Sequence, residues 1–111
     1  DQFMKNIYLE MLSSVYEVDT AEDGEKAYEK ITKNSYDLIL LDMFLPKLGG
    51  KQVFEQLEKN FPGQYKNKIV FLTNDDSEQT ANYFNSSGIK YLIKSALNPE
   101  EFVNKVRSYL I

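Results

Sequence analysis

Asp42, Thr73 and Lys94 are the residues of this chain whose types and positions could do chemistry together. Each closes an apolar run: Leu38 to Leu41 before Asp42, Ile69 to Leu72 before Thr73, and the stretch from Ile89 ending in Leu92 and Ile93 before Lys94. The first two runs lack polar alternation, as expected of strands covered on both faces. Open α/β sheets bind ligands at the carboxyl ends of such strands. Adjacent strands lie about 4.8 Å apart, so the three side chains could converge on one small pocket. A carboxylate, a hydroxyl and an ammonium suit an anionic group such as phosphoryl held near a divalent cation. Taken singly, each has a plainer reading: Asp42 as a loop cap, Thr73 bonded to its own backbone, Lys94 as a solvated strand end.

Composition narrows the chemistry further. There is no cysteine and no histidine, so Ser-His-Asp, Cys-His and His- or Cys-metal arrangements are excluded, and any reaction must rest on carboxylates, hydroxyls, lysine and a hard cation bound by oxygen. A net charge of −4 leaves no basic stripe, which argues against direct nucleic-acid binding by this segment. No apolar run approaches the roughly 20 residues of a membrane span, and no signal peptide is evident; a cytoplasmic location is the default expectation. At 111 residues the chain is expected to form one small domain over residues 1–111.

The elements that must position these residues can be read in order. Apolar residues spaced by three and four from Gln2 to about Ser14 predict an amphipathic helix. Tyr16 to Ala21 alternates and predicts a short edge strand, and Asp23 and Gly24 predict a turn before a second helix over Glu25 to Asn34. The strand ending at Asp42 is followed by a turn with Pro46, Gly49 and Gly50. Val53, Phe54, Leu57 and Phe61 then mark a third helix, stopped by Pro62 and Gly63. After the strand ending at Thr73, a fourth helix carries Thr80, Ala81 and Phe84 and closes at Gly88, and Ile89 to Lys94 forms a further strand. The last helix has the clearest start, with Asn98 as N-cap, Pro99 at its first position and Glu101 able to bond back; Phe102, Val103, Val106 and Leu110 are its apolar face. Alternating helices and strands imply right-handed βαβ crossovers and a doubly wound parallel sheet. Because such a pattern should open on a strand, a first strand is expected to lie before residue 1.

With these residues in view, the sequence resembles the receiver domain of two-component response regulators. The likeness runs through Ala21, Glu22, Asp23 and Gly24; Asp37 to Asp42 with Pro46 and Gly50; Thr73; and Gly88, Tyr91, Leu92 and Lys94. It implies a flavodoxin-like (βα)5 fold whose first strand is missing from the chain, and a phosphorylation-controlled switch rather than an enzyme. By resemblance, Asp42 would accept a phosphoryl group from a phosphohistidine of a sensor histidine kinase or phosphotransfer protein. Thr73 would bind a phosphoryl oxygen, Lys94 would pair with the phosphoaspartate, and Tyr91 would turn inward as Thr73 moves. Mg²⁺ would touch Asp42, the backbone carbonyl of Phe44 and an acidic pair at the end of the first strand, of which Asp1 is either the last member or the next residue. A second protomer or a downstream effector would read the switch.

Some positions depart from the family. Ser95 stands where proline usually follows the lysine, and a cis bond before a non-proline residue would cost about 3 kcal/mol. Asn74 replaces a small residue, and Gly49 an aspartate. Phe44, two residues beyond Asp42, either shields a phosphoryl group from water or simply covers its loop. A Mg²⁺-dependent phosphohydrolase with an aspartate nucleophile would need an acid at Phe44, and a receiver-like scaffold that is never phosphorylated would not need the trio; both stand as alternatives.

Overall fold

The computed structural model describes residues 2–110, with side chains from residue 5 onward. The elements are α1 (Gln2–Ser13), α2 (Gly24–Lys33), β1 (Ile39–Asp42), α3 (Gly50–Asn60), β2 (Ile69–Thr73), α4 (Glu78–Ser87), β3 (Lys90–Ile93) and α5 (Pro99–Tyr109), with 3-10 turns at Lys66–Lys68 and Lys94–Ala96. Residues 21–93 form one compact unit, and the chain before and after them forms another.

In the first unit β1, β2 and β3 make a parallel sheet in that order. Leu41 is the register partner of Phe71 and Phe71 that of Tyr91, while Asp42 pairs with Leu72. Alternation then divides the sheet. Ile39, Leu41, Ile69, Phe71, Thr73 and Tyr91 share one face, and Leu40, Asp42, Val70, Leu72 and Leu92 the other. The first face meets Ala27 and Ile31 of α2, Val53, Phe54 and Leu57 of α3, and Phe84 of α4 in a continuous core. Val53, Leu57, Ile69, Phe71 and Phe84 are wholly inaccessible. Phe71 lies between Phe54, edge-on at 5.7 Å, and Phe84 at 5.3 Å; Phe84 in turn stacks on Tyr91 at 4.6 Å.

The helix ends follow local chemistry. Asp23 caps α2 by accepting the Lys26 N–H at 2.8 Å, Ser77 caps α4 through the Thr80 N–H at 3.2 Å, and Gly88 closes α4. In the other unit α1 packs on α5, with the rings of Tyr8 and Phe102 stacked 4.3 Å apart. Asn98 and Glu101 form the expected capping box, at 2.8 and 3.0 Å.

The strand predicted over Tyr16 to Ala21 is absent. Those residues run irregularly, and among the described residues β1 is hydrogen-bonded on one side only, to β2. Alternation marks which side chains would share a face, but a strand also needs a neighbouring backbone to pair with, and no described segment supplies one. The sheet accordingly has three strands. Other bounds shift slightly: the strand predicted to end at Lys94 stops at Ile93, and Lys94 opens a 3-10 turn. All described peptide bonds are trans, including that before Ser95.

Candidate functional site

Asp42 is the last residue of β1 and is half-buried. Its Oδ1 accepts the Phe44 N–H at 3.0 Å, which folds the chain back over the strand end, and Met43 N–H continues the ladder by donating to the Leu72 carbonyl at 3.0 Å. Thr73, one residue past the partner of Asp42, is 2 % exposed. The two strand ends are neighbours, but their side chains start from opposite faces of the pleat, so a bound group at the sheet's carboxyl rim is what could join them. Lys94 follows Ile93, the register partner of Thr73, directly in the chain, and belongs to the other compact unit. Tyr91 shares the face of Thr73 and is stacked on Phe84 with the ring planes 17° apart.

The loop from Met43 to Gly50 is held tightly. Leu48 N–H donates to the Pro46 carbonyl at 2.7 Å, a three-residue turn that puts Lys47 at φ +67°, a region costly for a side chain with a Cβ. Gly24 N–H donates to the same Pro46 carbonyl at 3.1 Å, and Lys47 Nζ lies 3.7 Å from Asp23 Oδ2. Asp23 is buried, and its carboxyl is held below the usual range, chiefly by the Lys26 N–H, with Lys47 and Lys26 adding to the effect. Gly24 is required here: a Cβ would overlap the Leu48 carbonyl. Gly50 N–H donates to the Met43 carbonyl at 3.1 Å, and a Cβ on Gly50 would overlap the carbonyl of Asp42 itself.

Beyond Thr73 a second network was not foreseen. Asp75 N–H donates to Thr73 Oγ1 at 3.0 Å, Ser77 N–H to Asp75 Oδ1 at 2.9 Å, and the Thr80 hydroxyl to Asp75 Oδ2 at 2.7 Å. These bonds keep the Asp75 carboxyl below its ordinary range, the Thr80 hydroxyl contributing most. The spacing Thr-x-Asp-x-Ser was a legible signal, because hydroxyls and carboxylates bond backbone N–H groups two residues on.

The side chain of Phe44 is 79 % exposed, so it does not cover its loop. The two groups expected from the sequence to touch a metal among the described residues, the Asp42 carboxylate and the Phe44 carbonyl, are both oxygen donors, the kind a hard cation takes. No group of three acidic residues placed to hold a metal occurs among the described residues, and Asp1 lies outside them. A cleft of about 370 Å³ lined in part by Ser35, Tyr36, Ile39, Tyr65 and Lys68 lies towards the amino end of β1 and carries none of these groups.

The profile of the response regulator receiver domain matches residues 1–107. The chain belongs to that family. Response regulator ArlR of Staphylococcus saprophyticus is 31% identical to this receiver domain over 104 residues, which are 94% of this chain and 46% of ArlR. The autoinducer 2 sensor kinase/phosphatase LuxQ of Vibrio parahaemolyticus is 34% identical over 99 residues, 86% of this chain but 11% of LuxQ. The receiver domain thus spans less than half the length of these relatives. Among solved structures, chemotaxis protein CheY4 of Vibrio cholerae superimposes with a TM-score of 0.77 at 26% identity, covering 98% of this chain and 90% of that one. Response regulator TrrA of Thermotoga maritima, in complex with Mg(2+)-BeF, gives 0.72 at 31% identity with the same coverage. The α/β receiver fold read from the sequence is therefore the fold of this chain. Among its described residues no helix is long and apolar enough to cross a membrane.

Proposed function

We propose that this receiver domain is a phosphorylation-controlled switch that accepts a phosphoryl group on Asp42 from a sensor histidine kinase or phosphotransfer protein. The observation that carries this reading is the half-buried carboxylate at the carboxyl end of β1, beside the buried hydroxyl that ends β2. A carboxylate oxygen of Asp42 attacks the phosphorus of a phosphohistidine; the new P–O bond replaces the P–N bond, and the imidazole leaves with a proton taken from solvent. Asp42 and the Phe44 carbonyl would hold Mg²⁺, which when bound offsets the charge of the transferring group. That TrrA was crystallised with Mg(2+)-BeF supports the assignment.

Thr73 then donates its hydroxyl proton to a phosphoryl oxygen, and Lys94 pairs with the added negative charge. Tyr91, on the face of Thr73, shifts its packing against Phe84, which alters the surface of α4 and β3 that a second protomer or effector reads. An aspartate-nucleophile phosphohydrolase is disfavoured by the exposed Phe44, which supplies no acid beside Asp42.

The test is intact-mass spectrometry of the purified protein after incubation with acetyl phosphate, with and without Mg²⁺. A Mg²⁺-dependent gain of one phosphoryl mass that Asp42→Ala abolishes is the expected result. An unchanged mass would replace the switch with a constitutive interaction scaffold.

A further inference from the structure

We infer that Asp75 is a positioning residue that couples Thr73 to the first turn of α4, so that displacement of the threonine is delivered to that helix through side-chain hydrogen bonds. This deepens the phosphorylation reading and rests on it.

Thr73 is buried, and its Oγ1 accepts the Asp75 N–H at 3.0 Å. A hydroxyl has one proton to give and two lone pairs, so Thr73 can keep this bond while donating to a phosphoryl oxygen. Asp75 in turn grips α4 at two points of different kind. Oδ1 accepts the backbone N–H of the N-cap Ser77 at 2.9 Å, and Oδ2 accepts the side-chain hydroxyl of Thr80, one turn further on, at 2.7 Å. Both oxygens of one carboxylate are engaged, and charge-assisted bonds of this sort are the short, strong ones. The lowered pKa of Asp75, caused first by the Thr80 hydroxyl, agrees with the geometry.

The bond to Thr80 has no capping role. Ser77 Oγ already accepts the Thr80 N–H, and the Ser77 carbonyl begins the helix ladder by accepting from Ala81 N–H at 3.1 Å. A link that the helix start does not need, joining the loop of the switch threonine to the body of α4, is explained by transmission. Pulling Thr73 toward the rim moves the Asp75 backbone, and the carboxylate carries the motion to Thr80. On the same helix Phe84 stacks on Tyr91, so the coupled turn and the aromatic contact belong to one element.

The experiment compares Thr80→Val, nearly isosteric but without the donor, with Thr80→Ser, which keeps it. Backbone amide shifts are recorded with and without Mg²⁺ and beryllium fluoride. In the wild type, the Thr73 amide and the Thr80 and Ala81 amides shift together. In Thr80→Val the Thr73 shift persists, while the response at Ala81 and Asn82 is largely lost; Thr80→Ser restores it. Should Thr80→Val not fold, Thr80→Ala, which likewise removes the hydroxyl that Asp75 Oδ2 accepts, is read the same way. An undiminished α4 response in the variant would overturn the coupling and leave Asp75 as a loop brace. A wild-type Thr73 amide that does not respond would overturn the phosphorylation reading itself, and the coupling with it.

Discussion

Replacing Gly24 with alanine should destabilise this receiver domain although Gly24 is the first residue of a helix, where alanine is the better helix former. The intrinsic preference favours the substitution by about 0.8–1 kcal/mol. Against it stands the Leu48 carbonyl, which a Cβ at position 24 would overlap. The obstacle is backbone, and that backbone belongs to the strained turn with Lys47 at φ +67°, so it cannot yield cheaply. Overpacking of this kind costs about 1–3 kcal/mol, and pushing the loop outward stretches the Gly24 N–H bond to the Pro46 carbonyl, worth about 0.5–1.5 kcal/mol. The opposing terms leave a net loss of about 0.5–4 kcal/mol. Urea unfolding would register this as a midpoint lower by about 1 M at an unchanged slope. Gly49→Ala is the matched control, since its Cβ meets the Met43 carbonyl at 3.2 Å, a clash relieved by a few tenths of an ångström, and Gln52 Oε1 at an ordinary 3.6 Å. Because the displaced loop carries Phe44, whose N–H is bonded to Asp42, phosphorylation by acetyl phosphate should slow in Gly24→Ala even at temperatures where the variant is fully folded. A variant as stable as the parent would refute the claim that this contact holds the loop.

Asn98→Ala should cost about 1 kcal/mol by removing the cap from α5, measured as a lowering of the melting temperature by about 4 °C, and Asn98→Ser should recover most of it. Phe44→Asn should leave stability within about 0.5 kcal/mol, because the ring is exposed. The same variant should speed loss of the phosphoryl group about tenfold if the ring keeps water away, equivalent to about 1.4 kcal/mol in the barrier; an unchanged half-life of the radiolabelled phosphoprotein would dispose of the shielding role. The Asp75 carboxyl ionises below its ordinary value of about 3.9. A group depressed in the folded state stabilises above its unfolded pKa and loses that contribution as pH falls through the lower, folded value. The stability gap between wild type and Asp75→Asn should therefore be full at pH 7, begin to narrow as pH falls below about 4 and close once the lower folded value has been passed; a gap that does not narrow with acidification in urea titrations would contradict the hydrogen-bonded carboxylate.

The parts of this fold that depend on local pattern could be read in advance. The aliphatic run before Thr73 is a buried strand, as its lack of polar alternation implied, whereas the run before Asp42 is half-buried except at Leu41, because among the described residues β1 has a neighbour on one side only; Asn98, Pro99 and Glu101 announce α5 through a contact contained within one turn. The error at Tyr16 to Ala21 has the opposite origin: pairing is a property of two segments, and one segment's alternation cannot report its partner. The left-handed turn at Lys47 was hidden for a similar reason, since Pro-Lys-Leu contains no glycine to betray it and the conformation is enforced by Gly24 and Asp23, more than twenty residues earlier. Asp42 and Thr73 could be named because a strand end is a place in sequence as well as in space. Asp75 did not stand out in the sequence because, for an acid just before α4, the helix dipole is a sufficient explanation, although its bonds go to Thr80 and Ser77.

The loop from Met43 to Gly50, tied at Gly24, at its own three-residue turn and at the Met43 carbonyl, also bears on which donors can charge the domain. Fixing one residue of a loose chain costs about 1–2 kcal/mol of conformational freedom. On the proposed reading of Asp42 as acceptor, a loop already held in place asks no such contribution from an arriving donor, so even a small acyl phosphate with few contacts of its own should serve. The larger surface of a protein donor is then left to discriminate among competing receivers, and loosening the loop should cost the small donor far more than the large one.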